Sequence, residues 1–112
     1  MRDANYLWTI LVPRVADISE IYQLDEKDQM QLLRESSFLG QRLMTGFAGH
    51  KLNIGALGNR VPQLHLHHIV RFADDPAWPG PIWGKVPGKE YQAEQLAVMV
   101  EKLRRLTENY PE

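Results

Sequence analysis

The sequence predicts an α+β fold, an antiparallel sheet carrying two helices. Three observations lead there. Three short runs rich in β-branched, aromatic or alternating apolar residues are bounded by proline and glycine signals. Two longer segments repeat apolar residues at helical spacing. The second and third strand-like runs are separated by only a short turn, which makes an antiparallel hairpin the simplest connection. The chain has 112 residues, 44% of them apolar, enough for one core. Residues 1–112 are therefore read as a single domain.

The first run, YLWTILVP at residues 6–13, ends at a proline that cannot donate to a ladder, so it reads as a strand. An irregular link holding Asp17 and Ser19 follows. Asp25 then stands as the N-cap of a helix whose core stripe is Leu32, Leu33, Ser36, Leu39, Gly40 and Leu43, with Gly46 as its stop. KLNIGAL, residues 51–57, is the second strand, and Gly58 and Asn59 mark a turn. VPQLHLHHIVRF, residues 61–72, is the third strand, with Pro62 tolerated at its start. ADDPAWPGPIWGKVPG is too proline-rich for a helix and reads as an ordered loop. Residues 90–106 form the second helix, with a buried stripe of Ala93, Leu96, Val100 and Leu103. Its basic cluster Lys102, Arg104 and Arg105 suits the C-terminal end.

The composition narrows the function classes. A formal net charge of −1 offers no basic surface for nucleic acid or an anionic membrane. The absence of cysteine excludes disulfides, thiolate zinc sites and a cysteine nucleophile. No apolar stretch approaches the roughly 20 residues of a membrane helix. The start, MRDANYLW, lacks the basic-then-apolar order of a signal peptide. The expected location is the cytoplasm.

Three of the chain's four histidines fall within four positions of the third strand. Strand side chains alternate, so Gln63, His65, His67 and Ile69 share one face, and Leu64, Leu66, His68 and Val70 the other. The leucines mark the second face as the core side, with His68 near its end or rim. His65 and His67 then stand in an open polar row, their Cβ atoms roughly 7 Å apart. Spacing alone leaves three readings open: surface or structural histidines, a metal-binding pair, or a catalytic pair in which one ring attacks phosphorus and the other assists.

QLHLHHIVRF resembles the signature strand of the histidine-triad (HIT) family, in which three histidines alternate with apolar residues before an apolar tail. With that tail on Ile69 and Val70, the triad positions are 63, 65 and 67, occupied by Gln63, His65 and His67. His68 takes a place the family usually gives to an apolar residue. The likeness extends along most of the chain. WTILVPR followed by ISEIYQL resembles the family's first block, LNIGALGN its asparagine-containing strand, and DDPAWPGPIWG the tryptophan-proline-glycine segment after the triad. VPQLH, with its glutamine, is similar to a bacterial group labelled diadenosine-tetraphosphate hydrolase-like.

The resemblance implies a HIT-like fold and hydrolysis or transfer at the α-phosphorus of a nucleotide through a nucleotidyl-histidine intermediate. The substrate would be a nucleoside phosphoramidate or dinucleoside polyphosphate. It gives His65 the role of nucleophile, His67 that of orienting or electrostatic assistant, and Gln63 the first triad place. Asn53 would lie near ribose and phosphate, and Asn59 would contact phosphate. Arg60, beside that turn, is a further candidate for substrate binding. Neither a metal nor a cofactor is implied, and the expected assembly is a homodimer. A HIT-fold protein that binds nucleotides with little or no turnover is the alternative.

The chain also departs from the family pattern. Gln63 cannot shuttle a proton at neutral pH. Ala16 stands where a histidine commonly follows the proline-basic block. The turn between Asn53 and Gln63 is shorter than usual, and the domain is expected to lack the strand that normally precedes WTILVP. Elsewhere, packing is favoured over base stacking for Trp78 and Trp83. His50 is expected to be solvated, and Arg14 and Arg71 to form surface pairs.

Overall fold

The computed structural model describes residues 1–111 and bears out the α+β architecture. β1 (Leu7–Leu11) leads through a single 3-10 turn, Ile21–Gln23, to α1 (Glu26–Phe47). β2 (Lys51–Gly55), β3 (Leu66–Arg71) and α2 (Ala93–Leu106) follow. The sheet order is β1-β3-β2, antiparallel throughout, so the histidine strand is central. Its register sets Ile10 and Gly55 on either side of His67, and Trp8 and Asn53 on either side of Ile69.

β3 begins at Leu66, five residues later than the sequence predicts. Pro62 offers no N–H, and neither neighbour extends further: β1 ends opposite Leu66 and β2 opposite His67. The preceding segment is tied instead by Leu64 N–H, which donates to the Ile18 carbonyl at 2.9 Å.

α1 starts where expected. Asp25 caps it by accepting from the Asp28 N–H at 2.8 Å, and Glu26 and Asp28 complement the positive end of the helix dipole. Leu32, Ser36, Leu39, Gly40 and Leu43 are buried as predicted, but Leu33 is 58% exposed. It stands about 100° around the helix from Leu32, just past Gly40 at the edge of an arc that needs to cover only one sheet face. Gly46 is not the stop either. The helix continues to Phe47 and is capped by Ala48 in the left-handed region, φ 51°. Gly46 instead lets α2 approach, since a Cβ there would stand 2.6 Å from Leu106 Cδ1.

α2 begins at Ala93 rather than residue 90, and its predicted stripe is only half right. Leu96 and Leu103 are half-buried, whereas Ala93 and Val100 are exposed. The helix rests on the flank of α1 and not across the sheet, so none of its residues is fully covered.

Both faces of the sheet are covered. Leu7 and Val70 pack with Leu39 and Leu43 beneath α1. On the other face Ile69 packs with Tyr6, Ala77 and Ile82 beneath the proline-rich loop. All six residues of β3 are consequently buried. The polar row expected on an open face is therefore closed over its second half, where His67 is 6% exposed and Ile69 fully buried. His68 lies within the buried face, not at its rim, and Ser36 Oγ of α1 meets its Nε2 at 2.7 Å. Among the described residues, no helix is long and apolar enough to cross a membrane.

Candidate active site

A cleft of about 750 Å³ opens where the loop stops covering the sheet. Trp8, Ile10 and Val12 form one wall and the turn from Leu57 to Val61 another, with Trp83 at the rim and Gln63, His65 and His67 between them. The leucines of the strand alternate to the core, which brings the two imidazoles to the same side. Their ring centroids stand 4.9 Å apart and their planes are inclined by 66°.

Hydrogen-bond partners fix the proton positions. His65 Nδ1 lies 2.7 Å from the carbonyl oxygen of Gln63. A carbonyl only accepts, so the proton is on Nδ1, and in the neutral ring Nε2 carries a free lone pair. The indole Nε1–H of Trp8 donates to His67 Nδ1 at 2.8 Å. An indole only donates, so in the neutral His67 ring the proton is on Nε2. Burial pushes the His67 pKa below the usual imidazole value, and the nearby His65, the Met1 amino group and His68 lower it further.

Gln63 lines the cleft, and its Nε2 donates to the Val15 carbonyl at 3.2 Å, bracing the link after β1. Asn59 and Arg60 are exposed on the cleft wall, brought there by a turn in which Gly58 adopts φ 71°. Asn53 is not on that wall. Its Oδ1 accepts from Arg71 Nη1 at 2.8 Å.

That contact belongs to a buried clamp. Arg71, expected as a surface residue, is 1% exposed. Its Nε and Nη2 donate to Asp75 Oδ2 at 2.6 Å and Oδ1 at 2.9 Å. Asp75 Oδ1 also accepts from the N–H groups of Ala77 and Trp78, at 3.0 and 2.8 Å. The Arg71 hydrogen bond holds the Asp75 carboxyl below the usual carboxylate range. The clamp pins the loop to the strand, and the loop delivers Trp83 edge-on to His67, centroids 5.4 Å apart. Trp78 packs within the domain, against Arg71 and His50, while Trp83 both packs and lines the cleft. His50 is exposed, as expected.

The clamp and the Trp8 contact went unread in the sequence. An Arg and an Asp four apart at the end of a strand were the available signal for the first. Trp8 gave none, because it lies 59 residues from its partner. Among the described residues, no three His, Asp or Glu side chains converge as a metal centre.

Comparison with known proteins bears on the family and the fold. The family model described as HIT domain matches residues 1–74. The crystal structure of a histidine triad protein from Marinobacter aquaeolei VT8 is 54% identical, with a TM-score of 0.94 over 99% of this chain and 81% of that one. A histidine triad protein from Bradyrhizobium japonicum is 46% identical, with a TM-score of 0.90 over 94% of this chain and 78% of that one. One from Sinorhizobium meliloti 1021 is 39% identical, with a TM-score of 0.89 over the same shares, 94% and 78%. No curated protein matches the chain significantly. By the family match, these likenesses and the α+β fold they share, the chain belongs to the histidine triad (HIT) family.

Proposed function

We propose that this protein is a nucleotide phosphohydrolase or nucleotidyltransferase acting at the α-phosphorus of a nucleoside phosphoramidate or dinucleoside polyphosphate. It would fall in the bacterial diadenosine-tetraphosphate hydrolase-like group with glutamine in the first triad position. The observation that carries this reading is the His65 hydrogen bond to the Gln63 carbonyl, which leaves Nε2 as the free nucleophilic nitrogen beside a cleft.

In this reading His65 Nε2 forms a bond to phosphorus as the leaving group departs with its electron pair. The Gln63 carbonyl steadies the positive charge that develops on the ring. Water then forms the new P–O bond, the N–P bond breaks, its pair returns to Nε2, and the water proton passes to solvent. His67 Nε2–H, with Asn59 and Arg60, stabilises the phosphoryl oxygens. Trp8, Ile10, Val12 and Trp83 give the nucleoside an apolar wall. Asn53 contributes through Arg71 and the loop. We further propose a cytoplasmic homodimer.

A second reading is a nucleotide-binding protein of the same fold that scarcely turns over. It is favoured by Gln63, whose amide braces Val15 and supplies no titrating group. Incubation with adenosine phosphoramidate and with diadenosine tetraphosphate, followed by mass spectrometry for an acid-labile adduct, separates the two. Turnover abolished by His65→Ala supports the enzyme. AMP binding with neither turnover nor adduct supports the binder.

A further inference from the structure

We propose that Trp8 is a positioning residue that keeps His67 a hydrogen-bond donor unable to release a proton, so that the site prefers substrates whose leaving group departs as a weakly basic oxygen anion over those that release an amine. This rests on the nucleotidyl-transfer reading and narrows its substrate class.

The argument starts from the donors available. Two imidazoles line the cleft, His65 and His67, and His65 is committed as nucleophile. Gln63, Asn59 and the Arg60 guanidinium line the same cleft but do not give up protons there. Met1 also lines the cleft, but its amino group is engaged by the Trp8 carbonyl, to which it donates at 2.7 Å. That leaves His67 as the general-acid candidate among the cleft side chains, and only as the imidazolium. Protonation at Nδ1 would set an imidazolium N–H against the indole N–H of Trp8, two donors facing each other at 2.8 Å. The ring cannot easily turn away. It is boxed in by Trp8 at 5.6 Å, Trp83 at 5.4 Å and His65 at 4.9 Å, centroid to centroid.

The charged and titratable surroundings point the same way. His65 beside the ring, His68 next in sequence and the Met1 amino group all disfavour a positive charge on His67. β1 and the loop present it with two uncharged indoles. A neutral imidazole gives up its Nε2 proton only as an imidazolate, which is out of reach at neutral pH. The first step must then proceed without a delivered proton. The N–P bond forms at His65, the bond from phosphorus to the leaving atom breaks, and the pair stays on that atom. A polyphosphate, phosphate or carboxylate oxygen accepts this as a stable anion, whereas an amine nitrogen does not.

The test uses the full chain and Trp8→Phe, which keeps an aromatic ring and removes the N–H. In ¹⁵N spectra of the wild type, His67 should show a bare, hydrogen-bonded Nδ1 and a protonated Nε2. In Trp8→Phe its titration midpoint should rise. With diadenosine tetraphosphate and adenosine phosphoramidate as probes, the wild type should turn over the first at least tenfold faster in kcat. Trp8→Phe should narrow that ratio below pH 7, through kcat more than KM. A protonated Nδ1 in the wild type, an unmoved His67 midpoint in the variant, or equal turnover of the two probes overturns the proposal. If Trp8→Phe does not fold, the wild-type spectra and probe ratio decide it. If the spectra agree but neither probe is consumed, the nucleotidyl-transfer reading fails, and with it the substrate preference, while the Trp8–His67 lock stands.

Discussion

The imidazoles of His65 and His67 stand 4.9 Å apart and present the same nitrogen, Nε2, in opposite protonation states, a lone pair on His65 and a proton on His67. The two rings differ because one nitrogen of each is already held, by a carbonyl in His65 and by an indole in His67. Unequal consequences follow for their loss. His65→Ala should lower kcat by roughly a thousandfold or more, as expected for a missing nucleophile. His67→Ala should lower kcat by about a hundredfold, the cost of one transition-state donor, with KM little changed. Steady-state kinetics on diadenosine tetraphosphate measures both. A proportional rise in KM for His67→Ala would mean that it binds the ground state equally.

Breaking the clamp should destabilise the fold. Arg71 and Asp75 have side-chain exposures of 1% and 7%, so Arg71→Met leaves a buried carboxylate uncompensated. The expected loss is about 3–5 kcal/mol in urea unfolding. Asp75 has a lowered folded pKa, so its contribution is present above the unfolded value near 3.8 and is lost as pH falls through the folded one. Asp75→Asn should correspondingly flatten the acid limb of the stability curve.

His68 should make stability fall at mildly acid pH. Its Nδ1–H donates to the Leu66 carbonyl at 3.2 Å, so Nε2 accepts from the Ser36 hydroxyl. Burial lowers its folded pKa below the ordinary imidazole value of 6.5. The unfolded chain therefore takes up a proton first, and stability present above about pH 6.5 declines as pH drops further. Urea titrations at stepped pH should show a weaker decline in His68→Asn. Ser36→Ala, which strands a buried acceptor, should cost about 1–3 kcal/mol at pH 8.

Ala48 offers a stabilising change. It caps α1 at φ 51°, where a Cβ is unfavourable and glycine is not. Ala48→Gly should raise stability by about 1 kcal/mol, read as a higher urea midpoint at an unchanged slope.

Gln63→His restores an imidazole at the first triad position and forgoes the amide bond to Val15. The side chain is only half-buried, so the variant should fold within about 1 kcal/mol of the parent. If the site lacks a proton donor, kcat on adenosine phosphoramidate should rise more than kcat on diadenosine tetraphosphate. An equal change on both would show that proton delivery is not what the glutamine removed.

Local chemistry made much of this protein legible. Alternation along residues 64–70 put His65 and His67 on one face and the leucines on the other, because strand geometry has a period of two. Asp25 announced the start of α1, and QLHLHHIVRF carried the family resemblance. What stayed hidden depended on partners distant in sequence. Leu33 and Leu32 look alike until the sheet chooses the arc it covers. Arg71 resembles any strand-end arginine until the loop folds back with Asp75. The tautomer of His67 is set by an indole 59 residues away, on a neighbouring strand. The sequence by itself determined which side chains share a face, since that depends on backbone geometry alone. Only the tertiary structure decided how far the loop closes over that face and which nitrogen of each ring is left free, because burial and hydrogen-bond direction arise between elements and not within them.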